Sequence, residues 1–190
     1  MRRMVGISGT PGTGKKTVAP LVAKMMGLGA PIAINSLAKA RGDVDTTMLR
    51  RRLLELDPPR EVVFGHLLPH VLRKPEVAFV AVLRCEPAVL RRRLSDRGYP
   101  AAKVVENVEA ELIGVVLDEC VRRFGSDLVH EYDTTSAPPE KVARALARDA
   151  EAKAGQPAAA RAWIDWTLDY DSSTKLTSLL AGGRDPPAST

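Results

Sequence analysis

The stretch Arg3-Met-Val-Gly-Ile-Ser-Gly-Thr-Pro-Gly-Thr-Gly-Lys-Lys-Thr17 decides the fold. Residues 3–8 predict a short buried strand, and residues 15–27 predict a helix. Between them, Gly9-x-x-x-x-Gly14-Lys15 has the Walker A spacing, in which glycines let successive backbone amides point at phosphate oxygens. The helix N-terminus adds partial positive charge, and Lys15 reaches the outer phosphates. The stretch therefore predicts a phosphate-binding loop where the first strand ends.

Predicted strands and helices alternate along the rest of the chain, and this alternation indicates the type of sheet. Strands that are separated by helical or loop sequence, rather than by tight turns, pair in parallel. The sequence therefore predicts an α/β protein with a five-stranded parallel sheet flanked by helices. The remaining predicted strands are residues 31–34, 61–65, 77–83 and 128–132. The remaining predicted helices are residues 46–56, 67–73, 86–96, 101–124 and 138–153.

The segment 101–124 is predicted to form one long helix that packs along the sheet. Its apolar residues recur at intervals of three to five, which places them in one stripe along a rod of roughly 36 Å. The stripe consists of Val105, Val108, Leu112, Val115 and Cys120.

Residues 1–153 are expected to form one domain, followed by a distinct C-terminal part at residues 154–190. Residues 154–160 have the composition of a linker, and residues 182–190 that of a frayed tail. Trp163 and Trp166 form a lone aromatic cluster between them. We expect this pair to close the core, and a protein-binding patch is the alternative.

The composition sets limits on the class of protein. The chain has 190 residues, 45% of them apolar and 27% charged, which suits one domain and excludes overall disorder. Its formal net charge of +5 favours a polyanionic ligand without identifying one. The longest apolar run, residues 77–83, is too short to span a membrane, and we expect a cytoplasmic protein without membrane association. Cys85 and Cys120 lie in apolar stretches and are expected to be buried, reduced thiols.

Two positions depart from the usual arrangement that holds Mg²⁺ in a phosphate-binding loop. Lys16 stands where a Ser or Thr hydroxyl normally ligates the metal. Thr17 comes one residue later, rotated by about 100° around the helix, and is not expected to replace that ligand. The third strand ends in Val62-Val-Phe-Gly-His66 without a carboxylate. Three roles for Lys16 stay open: it points to solvent, it repels the metal, or it supplies positive charge of its own.

Six segments, taken in order, resemble the archaeal putative adenylate kinases, which are kin to the eukaryotic nuclear adenylate kinase isoenzyme six. The likeness covers roughly residues 4–170, with order and spacing preserved. The family's third strand ends in Asp-x-His, so that Phe64 stands in the place of the acidic residue while His66 is kept. The segments are Gly9–Lys15, Gly65–Leu67, Val82–Pro87, Leu94–Tyr99, Glu106–Glu111 and Asp133–Thr135.

The resemblance implies an adenylate-kinase-like P-loop NTPase fold with a short NMP-binding segment at about residues 30–53 and a small lid at about residues 97–107. It implies that the substrates are ATP and a nucleoside monophosphate, of which AMP is the first candidate. It also implies that Mg²⁺ binds as part of the nucleotide complex and that the protein has an associated ATPase activity. It also implies a role in 16S rRNA and small ribosomal subunit maturation through ribosomal protein uS11, with indirect rRNA contact. Its nucleotide-binding positions are Gly12, Gly14, Lys15, Lys16, Thr17 and Arg97.

We predict Lys15, His66 and Arg97 as the catalytic residues. Arg97 precedes Gly98-Tyr-Pro100, a hinge-like break from which a lid could bring a guanidinium over the phosphates. His66 follows a buried strand at the sheet edge where ligands gather, and a helix-starting polar residue is an equal alternative. His70 lies one turn later, but the absence of a third ligand in the sequence argues against a metal site.

Two arginine groups could also contact a nucleotide. Arg91, Arg92 and Arg93 span most of one helical turn, and we favour a solvated face for them. Arg41, or one residue of 50–52, could hold the phosphate of the accepting nucleotide, although a surface helix would have the same sequence.

Three functions follow from these observations. The first is an NMP kinase whose turnover Lys16 and Phe64 could impair. The second is a catalytically weakened, nucleotide-gated ribosome assembly factor. The third is a small-molecule kinase of other specificity, because the acceptor segment has no diagnostic motif.

Overall fold

The computed structural model describes residues 4–38, 45–56, 61–152 and 163–181. Its strands are β1 (Met4–Ser8), β2 (Ile32–Ala33), β3 (Val62–Phe64), β4 (Val77–Arg84) and β5 (Val129–Asp133). They form one parallel sheet in the order β2-β3-β1-β4-β5, which confirms the predicted α/β fold. The ends of the predicted strands differ from the observed ends by one residue at most.

The helices flank the sheet, and the described residues also form three short 3-10 helices. The 3-10 helices are Ile34–Leu37, Lys74–Glu76 and Trp166–Tyr170. The α-helices are α1 (Lys15–Met25), α2 (Thr46–Glu55), α3 (Leu68–Val71), α4 (Pro87–Ser95), α5 (Ala101–Leu112), α6 (Val115–Phe124), α7 (Pro139–Ala152) and α8 (Ser173–Ala181).

An apolar layer covers each face of the sheet, as expected for parallel strands that are buried on both sides. On one face, α1 and α7 pack through residues such as Val22 and Leu146. On the other face, α2, α3 and α6 contribute Leu53, Leu68 and Phe124. β1 lies at the centre of the sheet with all five residues buried, so the loop that follows it starts from a rigid position.

The prediction of one long helix over residues 101–124 is wrong. The helix ends at Leu112 and a second one begins at Val115, because Gly114 adopts a left-handed conformation with φ +68°. A Cβ at Gly114 would lie 3.7–4.0 Å from the guanidinium of Arg84, which packs against this turn. As a result, α5 and α6 pack in different apolar clusters. The predicted stripe began at Val105, whereas the buried residue near the start of α5 is Val104.

The C-terminal part forms helices that the sequence did not predict. The 3-10 helix Trp166–Tyr170 and α8 pack against α4 and α5, where Trp166 and Leu179 join an apolar cluster with Leu90 and Leu94. Trp163, in contrast, is 41% exposed, so the expected closure of the core involves Trp166 only. The predicted linker 154–160 and tail 182–190 lie outside the described residues.

Both cysteines are buried free thiols, as expected from the apolar stretches in which they lie. Burial raises the pKa of each thiol to about 12, so both are protonated at neutral pH. No helix in the described part of the chain has the length and apolarity needed to cross a membrane.

Candidate active site

The loop between β1 and α1 requires glycine for steric reasons at two of its positions. Gly9 has φ +136°, and a Cβ there would lie 2.4 Å from the carbonyl oxygen of Leu83 on β4. Gly12 has φ +99°, and a Cβ there would lie 2.6 Å from Leu90 Cδ1. The loop is thus pressed between the central strands and α4, and this contact fixes the position of its amides.

Lys15 begins α1 and folds back over the loop. Its Nζ donates hydrogen bonds to the carbonyl oxygens of Gly9 at 2.5 Å and Thr10 at 2.9 Å. Burial lowers the pKa of Lys15 to about 7; Glu111 opposes this shift, and the charges of Arg97 and Lys16 add to it. A phosphate bound next to this ammonium would bring compensating negative charge and would raise the pKa of Lys15 again.

One cavity of about 170 Å³ lies on the α1 side of the loop. Thr17, Arg93, Arg97 and Thr134 line it, together with the loop from Gly12 to Gly14. Arg93 donates from Nη2 to the carbonyl oxygens of Thr134 at 2.8 Å and Thr135 at 2.9 Å, so its guanidinium is fixed beside the cavity. The cavity therefore offers two guanidinium groups next to the glycine-rich loop, and Arg97 is the more exposed of the two.

The prediction that residues 91–93 form a solvated face is correct only for Arg92, which is exposed. Arg93 is drawn to the carbonyl oxygens that follow β5, and Arg91 donates to the carbonyl oxygen of Leu179 on α8. The sequence could not indicate either contact, because both acceptors come from segments distant in the chain.

A second cavity, of about 400 Å³, lies on the other side of the loop. It is bounded by Thr10 and Pro11 of the loop, by residues that follow β3, and by α5 and α6. His66 lines it, and burial lowers the pKa of its imidazole, with smaller contributions from Lys15 and His70. His66 is therefore neutral at pH 7 and able to accept a proton. The other polar residues that line this 400 Å³ cavity include Tyr99, Lys103, Asn107 and Glu119.

Glu111 connects the loop to the core, and sequence reasoning missed it. It is 2% exposed, and its Oε2 accepts a hydrogen bond from Thr10 Oγ1 at 2.6 Å. Its Oε1 accepts from Arg84 Nε at 2.7 Å and from the amide of Cys85 at 3.0 Å. A signal was present, since Glu111 falls on the apolar stripe of α5 beside Leu112 and Arg84 directly follows the buried run of β4.

The carboxylates and the strand end nearest the loop have other contacts in the described part of the chain. The described residues contain no group of three or more His, Cys, Asp or Glu side chains placed to hold a metal ion. Phe64 packs against the apolar cluster of β1 and α1, where the acidic residue is missing. Asp133 Oδ1 accepts from the amide and hydroxyl of Thr135 at 2.8 and 2.5 Å, which forms a turn after β5. Both oxygens of Glu111 are already engaged.

Comparison with known proteins shows the family of this chain. A family profile described as an AAA domain matches residues 5–114. A putative adenylate kinase of Natronomonas pharaonis is 38% identical over 148 residues, covering 75% of this chain and 86% of that protein. One of Thermococcus onnurineus is 33% identical over 185 residues, covering 93% and 98%. The chain belongs to the AAA-domain family and to the archaeal putative adenylate kinases.

Solved structures confirm the fold of this adenylate-kinase family member as that of a P-loop kinase. The YorR protein of Bacillus subtilis, solved with phosphorylated GDP, superposes with a TM-score of 0.57 at 18% identity, covering 78% of this chain and 95% of that one. A gluconokinase of Sinorhizobium meliloti superposes with a TM-score of 0.54 at 18% identity, covering 80% and 97%. At this level of identity the likeness concerns the fold alone.

The arginines proposed for the accepting phosphate have other contacts in this family member. Arg50 pairs with Glu76 at 2.5 Å, and Arg52 donates to the carbonyl oxygen of Leu37 at 2.5 Å. Arg51 is exposed and lies 3.7 Å from Glu55. Arg50 and Arg52 thus hold α2 against its neighbours, and Arg41 lies outside the described residues.

Proposed function

We propose that the protein binds ATP and transfers its γ-phosphoryl group to a nucleoside monophosphate, with AMP as the first candidate. The observation that carries this proposal is the position of the loop, which has a cavity on each side. In-line phosphoryl transfer needs the leaving and attacking oxygens on opposite sides of the transferred group. We assign the nucleoside of ATP to the 170 Å³ cavity and the acceptor to the 400 Å³ cavity.

The phosphate-binding roles follow from the loop geometry. The amides around Gly12 and Gly14 face the phosphates together with the first turn of α1, which carries Lys16 and Thr17. Lys15 Nζ leaves the carbonyl oxygens of Gly9 and Thr10 and moves to the outer phosphates. Arg97 closes from the turn before α5 and neutralises charge that builds up on the leaving ADP.

In the transfer step, a phosphate oxygen of AMP forms the new P–O bond while the bond from phosphorus to the oxygen of ADP breaks. The ADP oxygen keeps the electron pair. A phosphate monoester has a second pKa of about 6 and is already dianionic at pH 7, so this acceptor needs no general base. Water needs one, and the neutral imidazole of His66 fits that role in the associated ATPase reaction.

A coupled assay with ATP and AMP tests the proposal by measuring ADP formation. The expected result is ADP formation by the wild-type protein and its loss in Lys15→Ala. Lys24→Ala, at the exposed far end of α1, serves as the matched control and should retain the wild-type rate. ADP formation that does not exceed the buffer rate in the wild-type protein would remove the kinase proposal.

A second candidate is a cytoplasmic, nucleotide-gated ribosome assembly factor, and Lys16 and Phe64 favour it. Their departures from the family pattern predict slow turnover with nucleotide binding retained. By its resemblance to kin of the eukaryotic nuclear isoenzyme, this factor would act in small-subunit rRNA maturation by binding ribosomal protein uS11. ATP-dependent binding to purified uS11, abolished in Lys15→Ala, would support it. Efficient AMP phosphorylation without uS11 binding would favour the kinase, and transfer to a different acceptor would favour a small-molecule kinase.

A further inference from the structure

The charges around the loop are strongly unbalanced. The charges of Lys16 and Arg97 both act on the ammonium of Lys15. Among the residues that the structure describes, the carboxylate of Glu111 acts on Lys15 with the opposite sign. Glu111 is already paired with the buried Arg84 at 2.7 Å. The loop therefore presents a net positive field that attracts a polyphosphate and repels a divalent cation.

Lys16 stands at the position from which a P-loop hydroxyl normally holds the metal against the outer phosphates. It lies in the first turn of α1, and its side chain is exposed. Within the part of the chain that the structure describes, Lys16 makes no hydrogen bond or ion pair. Its ammonium has three donors on a flexible four-carbon chain, so it can reach the oxygens that the metal would bridge.

The described residues also contain no group of three or more His, Cys, Asp or Glu side chains placed to hold a metal ion, which likewise disfavours a metal at the loop. Phe64 occupies the strand end that would supply an acidic ligand, and it packs into the core instead. Thr17 lines the 170 Å³ cavity on the α1 side of the loop. A bound metal would therefore have water and phosphate as its ligands and a lysine ammonium as its neighbour.

We infer that Lys16 replaces magnesium as the cation that neutralises the outer phosphates, so that the protein binds metal-free nucleoside triphosphate. This inference rests on the proposed function to the extent that the loop binds ATP, and it specifies the ionic form of the ligand. Binding in this form leaves the full negative charge of the triphosphate to be matched by Lys15, Lys16 and Arg97.

The test is a titration of a fluorescent ATP analogue with millimolar Mg²⁺ and, separately, with excess EDTA. The wild-type dissociation constants should agree within about threefold. Lys16→Gln should bind about tenfold more weakly in EDTA, which is the loss of one charge-assisted hydrogen bond. Lys16→Thr should bind weakly in EDTA and recover about tenfold when Mg²⁺ is added, because it restores the hydroxyl ligand. Lys16→Arg should stay close to wild type in EDTA.

Lys24→Gln removes an equally exposed charge from the far end of the same helix and should match the wild-type protein in both conditions. Wild-type binding that needs Mg²⁺ would overturn the inference and leave the proposed function standing. Unchanged affinity of Lys16→Gln in EDTA would also overturn it. Wild-type protein that binds under neither condition would overturn both the inference and the proposed function. Because Lys16 is exposed, a thermal melt of each variant should match that of the wild-type protein.

Discussion

Thr10 donates a hydrogen bond to Glu111 across 2.6 Å, and this bond joins the phosphate-binding loop to α5 inside the protein. The same carboxylate accepts from Arg84, which also pairs with Glu131. Ile164 donates its amide to Glu131 at 2.7 Å, and its carbonyl oxygen accepts from Arg84 at 3.3 Å. One network of hydrogen bonds thus joins the loop, the end of β4 and Ile164.

Removing the carboxylate of Glu111 should destabilise the fold strongly. In Glu111→Ala the guanidinium of Arg84 stays buried with one of its two carboxylates missing, and breaking a buried pair costs about 3–5 kcal/mol. Urea denaturation should show this loss in the free energy of unfolding. Glu109→Ala, on the exposed face of the same helix, should change it by about 0.5 kcal/mol or less. Equal stabilities of the two variants would contradict the assigned role of the network.

Two glycines of the loop should respond differently to alanine, although both have positive φ. A Cβ at Gly9 would lie 2.4 Å from the backbone of Leu83, whereas a Cβ at Gly14 would have no atom within 4 Å. Gly14→Ala should therefore lower the free energy of unfolding by about 1–2 kcal/mol, which is the cost of placing alanine in the left-handed conformation. Gly9→Ala should cost clearly more, because the loop must move away from β4. Thermal melts of the two variants measure the difference, and a smaller loss for Gly9→Ala would argue against this loop geometry.

The sequence predicted the elements whose causes are local. The Walker A spacing and the buried residues of β1 lie within one short stretch, and β3 and β4 consist mainly of apolar residues. The parallel arrangement followed from the connections between strands. These features predicted the sheet and the position of the loop before any tertiary contact was known.

The features that the sequence did not predict depend on contacts between distant segments. The turn at Gly114 packs against the guanidinium of Arg84, which lies at the end of β4 and far away in the chain. The Trp166–Tyr170 helix is held partly by a hydrogen bond from the Tyr170 hydroxyl to Glu86, the residue that caps α4. Arg93 is likewise held by a distant segment, because its guanidinium donates a hydrogen bond to the carbonyl oxygen of Thr134 after β5. A periodic pattern contains no information on such partners.

Nucleotide binding should take up a proton above neutral pH. The pKa of Lys15 is lowered to about 7 in the free protein, and phosphate oxygens around the ammonium would raise it again. At pH 8 the free protein is mostly neutral at Lys15 and the complex is protonated, so binding should consume up to one proton. The affinity should then fall by at most tenfold for each pH unit above 7. At pH 6 the lysine is charged in both states, and this proton uptake should vanish.

Calorimetric titration in two buffers of different ionisation enthalpy measures the number of protons taken up. Lys15→Arg is the matched control, because its guanidinium is charged throughout this pH range and should bind without the uptake. Equal proton uptake by Lys15→Arg and the wild-type protein at pH 8 would assign the effect to another group.

His66 should matter more for ATP hydrolysis than for transfer to AMP. Attack by water needs removal of a proton, whereas the phosphate of AMP is already dianionic at pH 7. His66→Asn should therefore reduce ADP formation without AMP by about 10²–10⁴-fold, the usual contribution of a general base. Transfer to AMP should fall by less than about tenfold, from lost positioning in the cavity. His70→Asn changes a histidine in the same cavity that lies 3.3 Å from Glu119, and it should leave the ratio of the two rates unchanged. Parallel loss of both reactions in His66→Asn would assign to His66 a role in holding the nucleotide, because only a shared step would slow both.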